Sequence, residues 1–227
     1  MKRLLHFTKP LAIFILFLSI TYGNALKAQP GYDDNISLQD FYDQLSPYGQ
    51  WIDDPDYGYI WVPQVDDPDF RPYYTDGHWA MTEYGNMWVS DYEWGWAPFH
   101  YGRWAYTDDY GWFWIPDTEW GPAWVNWRSS DEYYGWAPMG PRVSVDLSIG
   151  GGYSCPDFWW TFIPQPYIYN SSWYDYYVPF YRNHSIINVS IVIGNTYRRN
   201  NFRYVCGPNA YDLRHRGISF TTYNIYD

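Results

Sequence analysis

Tyr101-Gly102-Arg103-Trp104-Ala105-Tyr106-Thr107-Asp108-Asp109-Tyr110-Gly111-Trp112-Phe113-Trp114-Ile115-Pro116 sets two aromatic arms around an acidic, glycine-closed centre. Its two arms carry Trp, Tyr, Phe and Ile, residues that suit a pleated, half-buried surface. Between them, Asp108 and Asp109 favour turn positions and Gly111 can reach the positive φ that tight hairpins demand. Trp112 and Trp114 are two apart and share one face of a strand. Pro116 closes the outgoing arm, where a missing N–H does least harm. The stretch reads as a β-hairpin.

The same pattern recurs on both sides of it. Upstream stand Tyr48-Gly49-Gln50-Trp51 with a turn at Asp54-Pro55-Asp56-Tyr57-Gly58 and an exit through Tyr59-Ile60-Trp61-Val62-Pro63. Next come Asp76-Gly77-His78-Trp79, a turn at Glu83-Tyr84-Gly85, and Asn86-Met87-Trp88-Val89. Downstream, a degenerate copy has Val125-Asn126-Trp127-Arg128, a turn within residues 131–135, and Trp136-Ala137-Pro138. Self-similarity at a period of about 25 residues marks a repeat architecture. The predicted fold class is all-β: an antiparallel meander of repeated Trp/Tyr β-hairpins over residues 47–139, followed by a smaller disulfide-tied β segment.

Outside the repeats, residues 1–28 read as a signal peptide. Met1-Lys2-Arg3 and Lys9 precede an apolar run at residues 11–20, and small residues follow it, with cleavage after Ala25 or Ala28. That run is shorter than the roughly 20 residues a bilayer span needs. Residues 29–46 form a linker with one short helix, Leu38–Leu45, for which Ser37 is the N-cap. In the segment 140–227, Gly150-Gly151-Gly152 makes a joint, and residues 185–193 are β-branched and read as the best strand in the chain. Residues 195–201 read as a loop or tail, and 208–217 as a short helix. Cys155 and Cys206 are the two cysteines, and in an oxidising compartment such a pair commonly forms one disulfide. Closing that loop is worth about 4 kcal/mol in the chain-entropy model.

Composition narrows the function. Aromatics make up 24% of the 227 residues, with 27 Tyr and 16 Trp, enough for a large core. Residues 29–139 hold 20 Asp and Glu against three Arg, a net of −17, whereas residues 140–227 hold five acids against seven Arg, a net of +2. The acidic half speaks against nucleic acid, which needs a basic surface, and against direct binding to anionic membrane.

Three stretches carry a resemblance. Trp94-Gly95-Trp96-Ala97-Pro98-Phe99-His100-Tyr101-Gly102-Arg103-Trp104, Gly121-Pro122-Ala123-Trp124-Val125-Asn126-Trp127-Arg128 and Tyr134-Gly135-Trp136-Ala137-Pro138 resemble an uncharacterised family of exported, Trp- and Tyr-rich bacterial proteins, a domain of unknown function often labelled proline-rich exported protein. Ile186-Ile187-Asn188 and Gly207-Pro208 are similar to its downstream region. The resemblance implies export and repeat architecture, and it transfers no catalytic residue.

The functional expectation is a non-enzymatic exported cell-envelope protein, in the periplasm or outer envelope of a Gram-negative bacterium, with a structural or binding role. The alternative is a glycan- or peptidoglycan-binding module. For that, Trp94, Trp96, Trp112 and Trp114 are the candidate stacking platform, set among Glu93, Asp108, Asp109 and Glu119. Envelope glycan or an envelope protein is the expected partner. A glycoside hydrolase would need two carboxylates roughly 5–10 Å apart across a cleft, and here the acids fall in turns. Asp53-Asp54-Pro55-Asp56 and Asp66-Asp67-Pro68-Asp69 offer clustered oxygens but lack the Gly and closing Glu of a calcium loop. His78, His100, His184 and His215 have no metal-ligand spacing. No cofactor and no metal is expected.

Overall fold

The computed structural model describes residues 36–199 and 202–225; the predicted signal peptide lies outside them. Each repeat is a hairpin. The pairs are β1 (Gly49–Asp54) with β2 (Gly58–Pro63), β3 (Gly77–Thr82) with β4 (Gly85–Ser90), β5 (Arg103–Thr107) with β6 (Gly111–Ile115), and β7 (Val125–Ser129) with β8 (Tyr133–Pro138). The registers explain the spacing of the tryptophans. Trp51 faces Trp61, Trp79 faces Trp88, Trp104 faces Trp114 and Trp127 faces Trp136 across the four ladders. Every repeat is thus built on one cross-strand Trp pair, the unit by which antiparallel sheets gain packing energy.

Two kinds of glycine make this possible. Gly58, Gly85 and Gly111 open the outgoing strands at φ 74°, 99° and 69°, the left-handed region a Cβ disfavours. Gly49, Gly77 and Gly102, the last also left-handed at φ 64°, lie under the outgoing indole of their own hairpin, where a Cβ would stand 2.6–2.7 Å from the nearest ring atom of Trp61, Trp88 and Trp114. The degenerate fourth copy differs. Gly135 is not in its turn but in β8 opposite Arg128, where a Cβ would come within 2.1 Å of the Phe162 ring.

The hairpins do not form a meander. One sheet runs β1-β2-β6-β5, joining the first and third hairpins through Trp61 opposite Trp114. The second hairpin forms a sheet with β13 (Thr222–Tyr223), which lies parallel to β3. The fourth is flanked by β9 (Thr161–Pro164) and β10 (Ile191–Val192) in the order β10-β7-β8-β9. The connections at residues 64–76 and 91–102 are long enough to cross over, and a Trp-bearing face is best buried against another Trp-bearing face.

The core follows from those pairs. Trp61, Trp79, Trp88, Trp104, Trp114, Trp124, Trp127, Trp136 and Trp173 are fully buried. A buried indole N–H needs an acceptor, and backbone carbonyls supply several. Trp61 donates to Leu45 (3.1 Å), Trp114 to Tyr101 (2.7 Å), Trp124 to His100 (3.1 Å) and Trp136 to Tyr73 (2.7 Å). Tyr73 sits at the centre: its hydroxyl donates to the Phe99 carbonyl at 3.1 Å and accepts from the Trp124 amide at 3.2 Å.

Around this core the helices are short. α1 (Leu38–Leu45) has the expected Ser37 cap, extended to a capping box by Asp40, and buries Phe41 and Leu45. α2 (Val145–Ile149) precedes the glycine joint. Residues 185–193, expected as a strand, instead give α3 (Asn183–Val189) followed by the two residues of β10. Asn183 and Ile186 share the buried face of α3. Arg128 donates to the Ile187 carbonyl at 3.2 Å and the Ser190 carbonyl at 2.7 Å, which satisfies the end of the helix. Of residues 195–201, expected as loop or tail, those at 196–199 form β11 (Thr196–Arg199), which pairs antiparallel with β12 (Phe202–Val205). α4 (Ala210–His215) is the expected terminal helix, capped by Asn209.

The disulfide is a further correction, since Cys155 and Cys206 are both free. Cys155 lies close enough to Arg128 for that charge to act on its thiol. The residue after Cys206, Gly207, packs against the Trp127 ring. The Cys206 Cβ lies instead beside Gly85 of the second hairpin, where an added Cβ would stand 2.7 Å from it.

Candidate functional site

The predicted stacking platform is mostly consumed by the core. Trp94, Trp112 and Trp114 are buried, and Trp96 is half-buried. Trp94 stacks on Tyr92 at 4.4 Å, Trp96 leans on Phe41 at 6.0 Å, Trp112 packs on Trp159 at 4.9 Å, and Trp114 meets Phe41 edge-on at 5.2 Å. Three of the four rings therefore present no open face to a sugar. Trp114 is buried as the outgoing member of its hairpin's cross-strand pair, whereas Trp94, in the connection before β5, and Trp112 are covered by aromatic neighbours outside the repeated pairs.

The acids around them serve the turns. Asp54 Oδ1 accepts from the amides of Asp56 (2.9 Å) and Tyr57 (3.0 Å), and Asp67 Oδ1 accepts from Asp69 (2.8 Å). Glu93 accepts from the Tyr48 hydroxyl at 3.1 Å. Among the described residues, no three of His, Cys, Asp and Glu are grouped so as to hold a metal ion. His100 is wholly buried; its Nδ1 lies 3.1 Å from the Gly121 carbonyl, and loss of water pushes its pKa down to about 4. His184 pairs with Asp157 at 2.9 Å on the surface. Burial pushes both thiols up to about 12, which keeps them protonated.

The structure draws together a different group. The connection between the first two hairpins holds Arg71, Tyr73, Tyr74 and Asp76. Its turn is tied by Thr75, whose Oγ1 accepts from the Arg71 amide at 2.8 Å. Tyr73 and Asp76 adopt φ 58° and 46°, conformations that cost side-chain-bearing residues energy and persist where surrounding packing enforces them. The Arg71 guanidinium lies 3.8 Å above the Phe180 ring and 5.7 Å from that of Tyr74. Burial pulls its pKa down to about 10, against the opposing charges of Tyr74 and Asp69.

Tyr74 in turn meets Trp173, Tyr174, Tyr177 and Phe180 at 5.5–6.0 Å, all edge to face. The Tyr174 hydroxyl bridges Gly77, donating to its carbonyl at 3.0 Å and accepting from its amide at 2.9 Å. Tyr92 is held near Asp76, and burial together with that carboxylate raises its pKa. Tyr74, Tyr92, Tyr174, Tyr177 and Phe180 are all half-buried, beside the exposed carboxylates of Asp67, Asp69, Asp76 and Asp91. The Tyr92 and Tyr174 hydroxyls are taken up by Asp76 and Gly77, and the aromatic surface beside carboxylates suits a ligand with both apolar C–H and hydroxyl groups. Sequence reading misses this cluster because its halves are about 100 residues apart. The available signals were Arg71, one of three Arg in an acidic half, and the aromatic run Trp173-Tyr174-Asp175-Tyr176-Tyr177.

Fold and site together define an all-β protein of Trp-paired hairpins with an aromatic, acid-rimmed surface cluster. Residues 42–143 match a family of unknown function, DUF6600, and the matched span contains all four hairpins. No curated protein and no solved structure matches the chain.

Proposed function

We propose that this chain is a non-enzymatic, exported protein of the Gram-negative cell envelope with a structural or binding role. The observation behind this reading is how the chemistry-bearing residues are used. The hairpin tryptophans go into one aromatic core, and the turn acids Asp54 and Asp67 are occupied as acceptors for neighbouring amides. Export rests on the N-terminal segment, residues 1–28.

The test is fractionation of a Gram-negative host expressing the whole reading frame, followed by mass determination of the N-terminus. Recovery in the periplasmic or outer-envelope fraction with Leu26 or Gln29 leading supports the proposal. A cytoplasmic chain that keeps its leader overturns it.

A second reading is favoured by the tyrosine cluster: binding of an envelope glycan such as peptidoglycan, moved from the tryptophans to Tyr74, Tyr92, Tyr174 and Tyr177. The mature chain retained on insoluble peptidoglycan, with retention weakened by Tyr177→Ala, would support it. No retention sinks it. A glycoside hydrolase comes behind both, since it needs two carboxylates facing each other across a cleft.

A further inference from the structure

We infer that Tyr167 and Tyr176 form a built-in site for oxidative cross-linking, independent of any glycan or envelope role. Their ring centroids are 3.7 Å apart and the ring planes differ by 5°. Aromatic pairs left to themselves prefer offset or edge-to-face contacts at 4.5–7 Å, so this near-sandwich is imposed by the loop that carries it. The loop is well fixed. Asn170 N donates to the Tyr167 carbonyl (3.0 Å), Trp173 N to the Asn170 carbonyl (3.1 Å) and Tyr176 N to the Trp173 carbonyl (2.9 Å). Ile168 and Trp173 anchor it in the core at 1% exposure each, and the Trp173 indole donates to the Gly77 carbonyl at 2.9 Å.

Among the described residues, the other tyrosine pairs with close rings do not share this geometry. Tyr74 meets Tyr174 and Tyr177 at 86° and 83°, and Tyr84 meets Tyr197 at 86°. Tyr197 and Tyr204 are more nearly parallel but 5.8 Å apart, and Tyr204 is fully buried. Tyr176, by contrast, is 38% exposed, so an oxidant and water can reach it.

The chemistry needs a one-electron oxidant, here a peroxidase using hydrogen peroxide. Each phenol loses one electron and its hydroxyl proton. The two ring radicals join through a carbon–carbon bond ortho to the oxygens, and the two displaced ring hydrogens move to those oxygens to restore the phenols. One peroxide takes up the two electrons and two protons and becomes two waters. Holding both rings in place replaces a bimolecular encounter with an intramolecular one, which raises the yield of this pair over others.

The experiment treats the dilute, full mature chain with peroxidase and hydrogen peroxide. It reads dityrosine fluorescence, intact mass and chymotryptic cross-linked peptides. The expected product is a monomer lighter by two hydrogens, with residues 167 and 176 linked. Tyr176→Phe should lower the dityrosine yield roughly tenfold, whereas Tyr181→Phe, at the most exposed of the described tyrosines (85%), should leave it unchanged. Links scattered in proportion to exposure, predominantly intermolecular products, or an undiminished yield in Tyr176→Phe would each overturn the assignment. Both variants keep the ring and its packing, so folding is not the variable.

Discussion

At the residue scale, burial decides what the ionisable groups can do. His100 titrates near 4 because the imidazolium would lose its water inside the core, whereas the ordinary value is 6.5. The unfolded chain therefore binds a proton between those values that the folded chain refuses. Stability from this group is full above pH 6.5, falls as the pH drops towards 4, and is constant below that. The difference of about 2.5 pH units corresponds to at most about 3 kcal/mol. Denaturant unfolding at pH 7 and pH 4.5 should show a smaller pH-dependent loss in His100→Gln than in the parent, because the other histidines are common to both. Equal losses would remove His100 from the account. The thiols obey the same rule. With values raised from 9.0 to about 12, Cys155 and Cys206 should react with a thiol reagent roughly a thousandfold more slowly in the native chain than after unfolding. Both should then label without any reductant; failure to label would reveal a disulfide after all.

At the scale of elements, each hairpin is a local object, which is why it is legible. In the first three, a Gly, a Trp two residues on, a turn acid and a second Trp lie within one short window, and the registers follow from turn length and alternation. What joins the hairpins is not local. Nothing near Trp61 marks Trp114 as its neighbour across β2 and β6, and nothing in Arg71-Pro72-Tyr73-Tyr74 points to Phe180. The strand expected at residues 185–193 fails for a related reason. Its β-branched residues favour a strand, yet Arg128 from β7 satisfies the carbonyls of a helix end there, and tertiary contact overrides propensity. Three of the four platform tryptophans are buried, and an indole looks the same in sequence whether the fold buries it or exposes it. A comparison of turn glycines separates backbone strain from crowding. Gly58 and Gly85 both have positive φ, but a Cβ at Gly58 meets nothing, whereas at Gly85 it would lie 2.7 Å from the Cys206 Cβ. Gly58→Ala should cost about 1 kcal/mol. Gly85→Ala should cost about 1 kcal/mol more, and a matching pair of urea midpoints would show that the Cys206 contact gives way freely.

At the scale of the whole molecule, charge and packing divide the chain differently. Acidic character ends near residue 140, yet the sheets cross that point. β9 and β10 flank the fourth hairpin, β13 extends the second, and Trp173 packs against Trp88 and Trp136 at 6.2 and 5.7 Å. The hairpins consequently depend on the C-terminal segment for sheet edges and for part of their core cover. A chain ending at Met139 would uncover the faces of Trp88, Trp127 and Trp136, and would leave β7 and β8 without their outer neighbours. Loss of one large buried aromatic alone costs about 3–5 kcal/mol, a large share of the 5–15 kcal/mol that holds a typical domain together. The truncated chain should therefore lack a cooperative urea transition, bind a hydrophobic dye and lose near-ultraviolet circular dichroism. The full mature chain should unfold in one step with coincident tryptophan fluorescence and far-ultraviolet signals. A truncated chain that melts sharply, with its aromatic dichroism intact, would show instead that the four hairpins hold their own core and that residues after 139 are an accessory.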